Sequence, residues 1–246
     1  MNYLFTPAFC KPALLEDLLT HLYSKPSIKA PITHVILDNR YPLNEKDAIA
    51  EVCEDYPVIY FDSGSDLGLH RSVNQALDYF GVQSEDIFMG CDPDDRPSPG
   101  TFDAMIDVMK VDPTIGVLGA NFSVIREKKA TLGDRMPEIQ VAGHNLYVHP
   151  AVEMWNVAAF SMPLLNSIGG LNQHNEYYGL LEMALYPRWK ERGMVLAYLK
   201  DYISDAAPVD RSNPALFDTS YAAWKKAHVG GFRGSFGEWL EVNRKA

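Results

Sequence analysis

The chain has 246 residues, 47% of them hydrophobic, and a formal net charge of −10. That length suits one sizeable α/β domain with an appendage, or two small domains, and the composition argues against long disorder. The acidic balance, with no long basic run, argues against a binder of phosphate backbones, so no nucleic-acid partner is expected.

The first half alternates short β-rich runs with helical patterns. Residues 3–5 read as a strand, and Leu14, Leu15, Leu18, Leu19 and Leu22 then fall at helical spacing, giving one buried face. A strand over 34–37, a helix from about residue 44 to 53, a strand over 58–61 and a helix over 69–80 follow. The apolar run Ile87-Phe88-Met89 reads as a strand that ends at the acidic run Asp92-Pro93-Asp94-Asp95. Ser98-Pro99 reads as a helix start, with Ser as N-cap and Pro in the first turn, before the apolar stripe of Phe102, Met105, Ile106 and Met109. Residues 115–118 close the series as a strand. Strand–helix alternation of this kind predicts a largely parallel sheet with helices on both faces, whose ligands sit beyond the carboxyl ends of the strands.

The second half is less periodic. Residues 121–155 are mixed, with Gly133, Pro137, Gly143 and Pro150 as breakers. Residues 179–192 read as a helix and 194–199 as a strand. A Pro/Asp/Asn-rich stretch from residue 206 leads into an aromatic tail containing Phe217, Tyr221, Trp224, Phe232, Phe236 and Trp239.

Cys10, Cys53 and Cys91 are odd in number and scattered, which is neither a disulfide framework nor a zinc spacing, so a reducing compartment is expected. Residues 1–9 lack a basic n-region and run into Lys11-Pro12, so no signal peptide is expected, and no stretch approaches the roughly 18 apolar residues of a membrane span. The expectation is a cytoplasmic protein, at most peripheral to a membrane.

Asp92, Asp94 and Asp95 carry the chemistry. Three carboxylates within four residues repel one another unless something positive sits among them. Hard oxygen donors suit Mg²⁺ or Mn²⁺, which keep water or phosphate oxygens in their remaining positions. A solvated turn capping the following helix is the plain structural alternative.

Taken together, the segments resemble the family 2 glycosyltransferases of the GT-A fold along most of residues 1–200. Val35-Ile36-Leu37-Asp38-Asn39 is similar to that family's strand ending in Asp-Asn. Asp66-Leu67-Gly68 with Asn74 is similar to its Asn-x-Gly…Asn spacing, with Asp in place of the first Asn. Asp92-Pro93-Asp94-Asp95-Arg96-Pro97-Ser98-Pro99-Gly100 resembles the metal motif with its Pro and Gly follow-on. Ile168-Gly169-Gly170-Leu171 and residues 181–193 resemble the acceptor-side segment of the Glu-Asp-x-x-Leu…Arg…Gly form.

The resemblance implies a GT-A sheet, mostly parallel and flanked by helices. Residues 1–205 are expected to form the glycosyltransferase domain, with 1–120 as nucleotide-binding half and 121–205 as acceptor-side half; 206–246 form a C-terminal helical appendage. It also implies roles. Asp38 contacts the nucleobase, Asp92 the ribose, and Gly68 and Asn74 shape the nucleotide pocket. Asp94 ligates Mn²⁺ or Mg²⁺, with Asp95 assisting the metal or capping the turn. Glu182 stands in the slot of the family's catalytic Asp as general base, with Leu181 where the family has Glu and Ala184 where it often has an acidic residue. The donor is then a UDP- or GDP-linked sugar, the acceptor a hydroxyl of a glycan, lipid-linked or protein substrate, and the displacement inverting. The strand over 194–199 is followed by Lys200-Asp201-Tyr202, without the His that often completes the family's metal site; Asp201, Asp205 and His228 are the substitutes. His144 and His149, beside Trp155, are candidate acceptor contacts.

Two other readings stay open. A sugar nucleotidyltransferase would need a Gly-rich basic loop after the first strand, which Thr6-Pro7-Ala8-Phe9-Cys10-Lys11 lacks. A non-catalytic nucleotide-binding or scaffold subunit draws support from Leu181 and Ala184, against the intact acidic run.

Overall fold

The computed structural model describes residues 1–8, 12–24, 28–38, 46–64, 69–149, 156–167, 170 and 191–206. The first strand, β1 (Asn2–Pro7), is buried on both faces, as a central strand must be. It pairs in parallel with β2 (Thr33–Asp38) on one side and β4 (Ile87–Cys91) on the other, and β3 (Ile59–Asp62) pairs in parallel with β2.

The period-2 alternation of side chains splits the core. Tyr3 and Phe5 of β1, with Val35 and Leu37 of β2, pack against Val73, Ala76 and Leu77 of α3 (Leu69–Tyr79). On the opposite face Ile36 meets Leu15 and Leu19 of α1 (Pro12–Tyr23) and Ile49 of α2 (Lys46–Glu54), while Leu4 meets Leu18 and Leu22 of α1. Four of the five leucines read from the sequence are therefore the buried face of α1, Leu14 being half-buried at its edge, and removing one of the four would cost about 2–5 kcal/mol. His34, also buried, is bonded at both ring nitrogens: Nε2 to Thr6 Oγ1 at 2.9 Å and Nδ1 to the Tyr23 hydroxyl at 2.8 Å. Burial lowers its pKa to about 3, so the imidazole is neutral.

After β4 the chain forms the short β5 (Asp95–Pro97), then α4 (Thr101–Val111) and β6 (Ile115–Asn121). The helix begins at Thr101, with Gly100 as N-cap at φ 82° and no side-chain cap, so Ser98-Pro99 is not its start. The reason is tertiary. Ser98 N donates to Ile203 O at 2.8 Å, which keeps the backbone extended past β5, and the glycine then makes the left-handed turn into the helix.

Residues 121–149, read as irregular, form α5 (Ser123–Leu132), a short 3₁₀ turn, and a hairpin of β7 (Glu138–Val141) and β8 (His144–Val148). Its two-residue loop has both φ values positive, Ala142 at 52° and Gly143 at 82°, as a type I′ turn requires. A strand the sequence reading did not assign, β9 (Val157–Ser161), lies between β4 and β6 and is antiparallel to both. α6 (Met162–Ser167) follows it, and β10 (Val195–Ala206) runs parallel to β6 and antiparallel to β8 and β5.

Among the described residues the sheet order is β3-β2-β1-β4-β9-β6-β10-β8-β7, with β5 on β10. The parallel βα series of the first half is as the alternation predicts, and the antiparallel strands belong to the second half. No described helix is long and apolar enough to cross a membrane. The expected helix over 179–192 and the aromatic tail lie outside the described residues, apart from the end of that helix at Glu191 and the start of the tail at Ala206.

Candidate active site

The site grows out of β4. Ile87, Phe88, Met89 and Cys91 are all buried, and the chain leaves the core at Asp92. Asp92 N donates to Asn156 O at 2.9 Å, and Asp95 N turns back to Asp92 O at 3.1 Å, closing a tight turn. The backbone of Asp95 then joins β10, in register with Ala206.

The turn brings one carboxylate oxygen each of Asp92, Asp94 and Asp95 within 4.8 Å of one another. Asp92 and Asp94 are half-buried, whereas Asp95 is 0% exposed. Neither Asp95 oxygen has a hydrogen-bond partner among the described residues. Burial, then the charges of Asp92 and Asp94, push the Asp95 carboxyl up to about 8; the Asn156 amide, short of hydrogen-bond geometry, and the Arg96 charge oppose this. The Cys91 thiol beneath is pushed up chiefly by burial, with Asp95 and Asp92 adding to it.

An unpartnered buried carboxylate costs several kcal/mol unless a proton or a cation compensates it. Two further carboxylates at this range make a cation the better compensation, and an all-oxygen donor set fits a hard divalent ion. The residues present therefore fit Mn²⁺ or Mg²⁺.

Asp38 ends β2 at the same edge of the sheet. It is 0% exposed; the Tyr60 hydroxyl donates to its Oδ2 at 2.7 Å, and Ser63 N donates to its carbonyl at 2.9 Å. Only β1 separates β2 from β4, so two inter-strand spacings, about 10 Å, lie between the Asp38 and Asp92 strand ends. This is the crevice beyond strand carboxyl ends where open α/β sheets take ligands.

A family model described as "Glycosyl transferase family 2" matches residues 3–155. The chain belongs to that family. Among solved structures it is similar to the mannosyltransferase PcManGT from Pyrobaculum calidifontis in complex with GDP-Man and Mn²⁺, at TM-score 0.65 and 18% identity, covering 92% of this chain and 60% of that one. It is similar to GalNAc-T7 with UDP, GalNAc and Mn²⁺ at TM-score 0.56 and 10% identity, covering 84% and 44%. It is similar to S. aureus TarS 1-349 at TM-score 0.51 and 15% identity, covering 84% and 60%. At these identities the likeness is one of fold, the GT-A fold. This family 2 chain spans about 60% of the length of the first of these structures. No curated protein matches it in sequence.

The other candidate residues of this family 2 chain are dispersed. Asn74, on α3, packs against Gly170: a Cβ added there would sit 3.0 Å from Asn74 Oδ1. Both line a cleft of about 280 Å³ between α3 and α6, with Leu77, Met162 and Leu165 as apolar walls. Asp205 does not join the acidic cluster. It faces Arg96 across the β5–β10 ladder, the face opposite to Asp95, and accepts bonds from Ser123 N and Arg126 Nη2, both at 2.9 Å. Asp201 accepts from Asn145 Nδ2 at 3.0 Å. His144 lies 3.7 Å from Asp107 and packs its ring on Tyr202, while His149 is buried against Tyr198. Gly68, Trp155, Glu182 and His228 lie outside the described residues.

Several residues at the site escaped the sequence reading. Arg96 Nη1 donates to Pro93 O at 2.9 Å and Asp95 O at 2.6 Å, and its Nε and Nη2 bond Asp17 on α1. His21, one helical turn after Asp17, donates from Nε2 to Pro97 O at 2.8 Å. Their i, i+4 spacing on the polar side of α1 was the available signal, but it does not say what that side faces. Tyr60 gave no signal beyond being a strand aromatic.

Proposed function

We propose that this chain is a metal-dependent glycosyltransferase that moves a sugar from a UDP- or GDP-linked donor to an acceptor hydroxyl. The observation that carries this is the buried, unpartnered Asp95 carboxylate within 4.8 Å of Asp92 and Asp94, at the carboxyl edge of a GT-A sheet. Asp94 and Asp95 hold the divalent cation, and Asp92 contacts the ribose. Asp38, fixed by Tyr60, receives the nucleobase, with Gly68 and Asn74 shaping the pocket wall. When bound, Mn²⁺ or Mg²⁺ supplies positive charge to the departing nucleoside diphosphate. Two of the similar structures carry Mn²⁺ with GDP-Man or UDP, which supports both the ion and the donor class.

Glu182 takes the proton of the acceptor hydroxyl from the face opposite the leaving group, so the displacement inverts the anomeric centre. Residues 1–205 make the catalytic domain and 206–246 an appendage to it. The product serves glycan or surface-polysaccharide synthesis. Cys53 and Cys91 are free and buried, which suits the cytoplasm.

The test is nucleotide binding with and without metal. UDP or GDP at about 100 times its dissociation constant should add about 2.7 kcal/mol of stability in Mn²⁺. The gain should shrink in EDTA, and Asp94→Ala should abolish the difference between the two conditions. Equal stabilisation in Mn²⁺ and EDTA would remove the metal from the site. Nucleotide binding without donor hydrolysis or transfer, across a panel of nucleotide sugars, would make the chain a non-catalytic binding subunit instead.

A further inference from the structure

We propose that Arg96, anchored by Asp17 of α1, is a positioning residue that sets the spacing of the Asp92, Asp94 and Asp95 carboxylates for a divalent cation; this rests on the metal-dependent reading above. A guanidinium beside three carboxylates would ordinarily bridge one of them directly. Here its hydrogen bonds among the described residues go to the Pro93 and Asp95 carbonyls and to Asp17. Arg96 follows Asp95 in β5, so the pleat sends the two side chains to opposite faces. The arginine thus leaves the carboxylates un-neutralised and grips the backbone that presents them.

The grip is placed to matter. The Pro93 carbonyl belongs to the peptide before Asp94 and the Asp95 carbonyl to the peptide after Asp95, so pinning both fixes the backbone at each end of the Asp94-Asp95 pair. The turn is also tied at Asp92 N by Asn156 O, and at Pro97 O by His21. Asp17 and His21 ride on a helix whose Leu15, Leu18, Leu19 and Leu22 are each at most 2% exposed, so the anchor is part of the core. The planar fork of Arg96 is what reaches two carbonyls and one carboxylate together; a lysine ammonium has the charge without that geometry.

Charge and position predict opposite signs. Arg96 is a cation close to a cation site, so simple Coulomb repulsion says that removing it should tighten metal binding. Positioning says that removal should weaken binding, by about 10–100-fold as for other outer residues that orient metal ligands. The Asp17 side chain is 67% exposed against 16% for Arg96, so the ion pair itself adds little global stability and the thermal midpoint should hardly move.

The experiment titrates the full chain with Mn²⁺ alone, reading free ion by electron paramagnetic resonance. Wild type, Asp94→Ala, Arg96→Met, Arg96→Lys and Asp17→Asn are compared, with circular dichroism and thermal melts of each. The expected result is a 10–100-fold weaker Mn²⁺ site in Arg96→Met, no rescue by Arg96→Lys, and a smaller, several-fold loss in Asp17→Asn. Unchanged or tighter binding in a folded Arg96→Met overturns the proposal. If that variant does not fold, unchanged binding in Asp17→Asn, which keeps the carbonyl bonds, overturns it equally. Wild-type binding that Asp94→Ala leaves intact would sink the metal reading and this inference together. A wild-type site lost in Asp94→Ala but indifferent to Arg96 would sink this inference alone.

Discussion

The two halves of the sheet are built on different plans. From β1 to β4 the strands pair in parallel, each is joined to the next in sequence by a helix, and the site's carboxylates emerge where those strands end. From β5 to β10 most pairings are antiparallel, and β10 alone pairs with β5, β6 and β8, which lie far apart in sequence. The contrast teaches where function is assigned. The parallel half supplies a crevice by a general rule of open sheets, and the second half borders it with β5 and β9.

The sharpest way to break this division of labour is to remove the proposed base. Glu182→Gln should lower sugar transfer by about 10²–10⁴-fold while nucleotide affinity, proposed for the first half, stays nearly constant. Steady-state transfer alongside nucleotide titration would separate the two. Full transfer activity in the Gln variant would move the base role to another carboxylate.

The seam between the halves can be tested by packing. Phe160 of β9 stacks on Phe88 of β4, with centroids 5.3 Å apart and planes 24° from parallel. Phe160→Ala should cost about 3–5 kcal/mol in denaturant unfolding. A single cooperative transition would show the halves unfolding together, and a split transition would show them independent.

Acid should distinguish them next. In the first half His34 is buried and neutral, its pKa lowered to about 3. Unfolded, it titrates near 6.5, so the unfolded state binds the extra proton between the two values. This contribution is fully present above pH 6.5 and is lost as pH falls toward 3, about 3 kcal/mol between pH 7 and 4. His34→Gln, which keeps a donor and an acceptor but cannot titrate there, should flatten that part of the stability profile. In the second half Glu138 bonds Lys200 at 2.7 Å and lies 3.4 Å from Lys129 at the surface, so added salt is the lever on that cluster.

The smallest expected effect is in the β7–β8 turn. Ala142 holds φ 52° in the first position of a turn that favours Asn-Gly. Ala142→Asn should raise stability by about 1 kcal/mol, read as a higher thermal midpoint, because Asn tolerates the left-handed region better than Ala.

Read from residues alone, the first half was largely open. Its strands are short apolar runs and its helices carry stripes such as Leu15, Leu18, Leu19 and Leu22, so local periodicity reports burial directly. The acidic run after β4 was equally visible. The start of α4 was misread, because Ser98-Pro99 carries a helix-start signal that the Ser98–Ile203 hydrogen bond overrides. β9 went unseen because Val157-Ala158-Ala159-Phe160 is a short apolar run with no alternation, equally compatible with a buried helix turn.

The sequence by itself thus determined the element types of the parallel half, the position of Asp38 and Asp92 at strand ends, and the run of carboxylates that wants a cation. Tertiary structure decided which of those carboxylates is stranded. Asp95 is sealed because β5 docks on β10 and its pleat turns that side chain inward, while Arg96 turns outward to Asp17. Such pairings join residues more than a hundred positions apart, between β5 and β10, and no local periodicity encodes them. They form because unpaired strand edges and buried apolar faces must be satisfied somewhere, and the chain as a whole settles where.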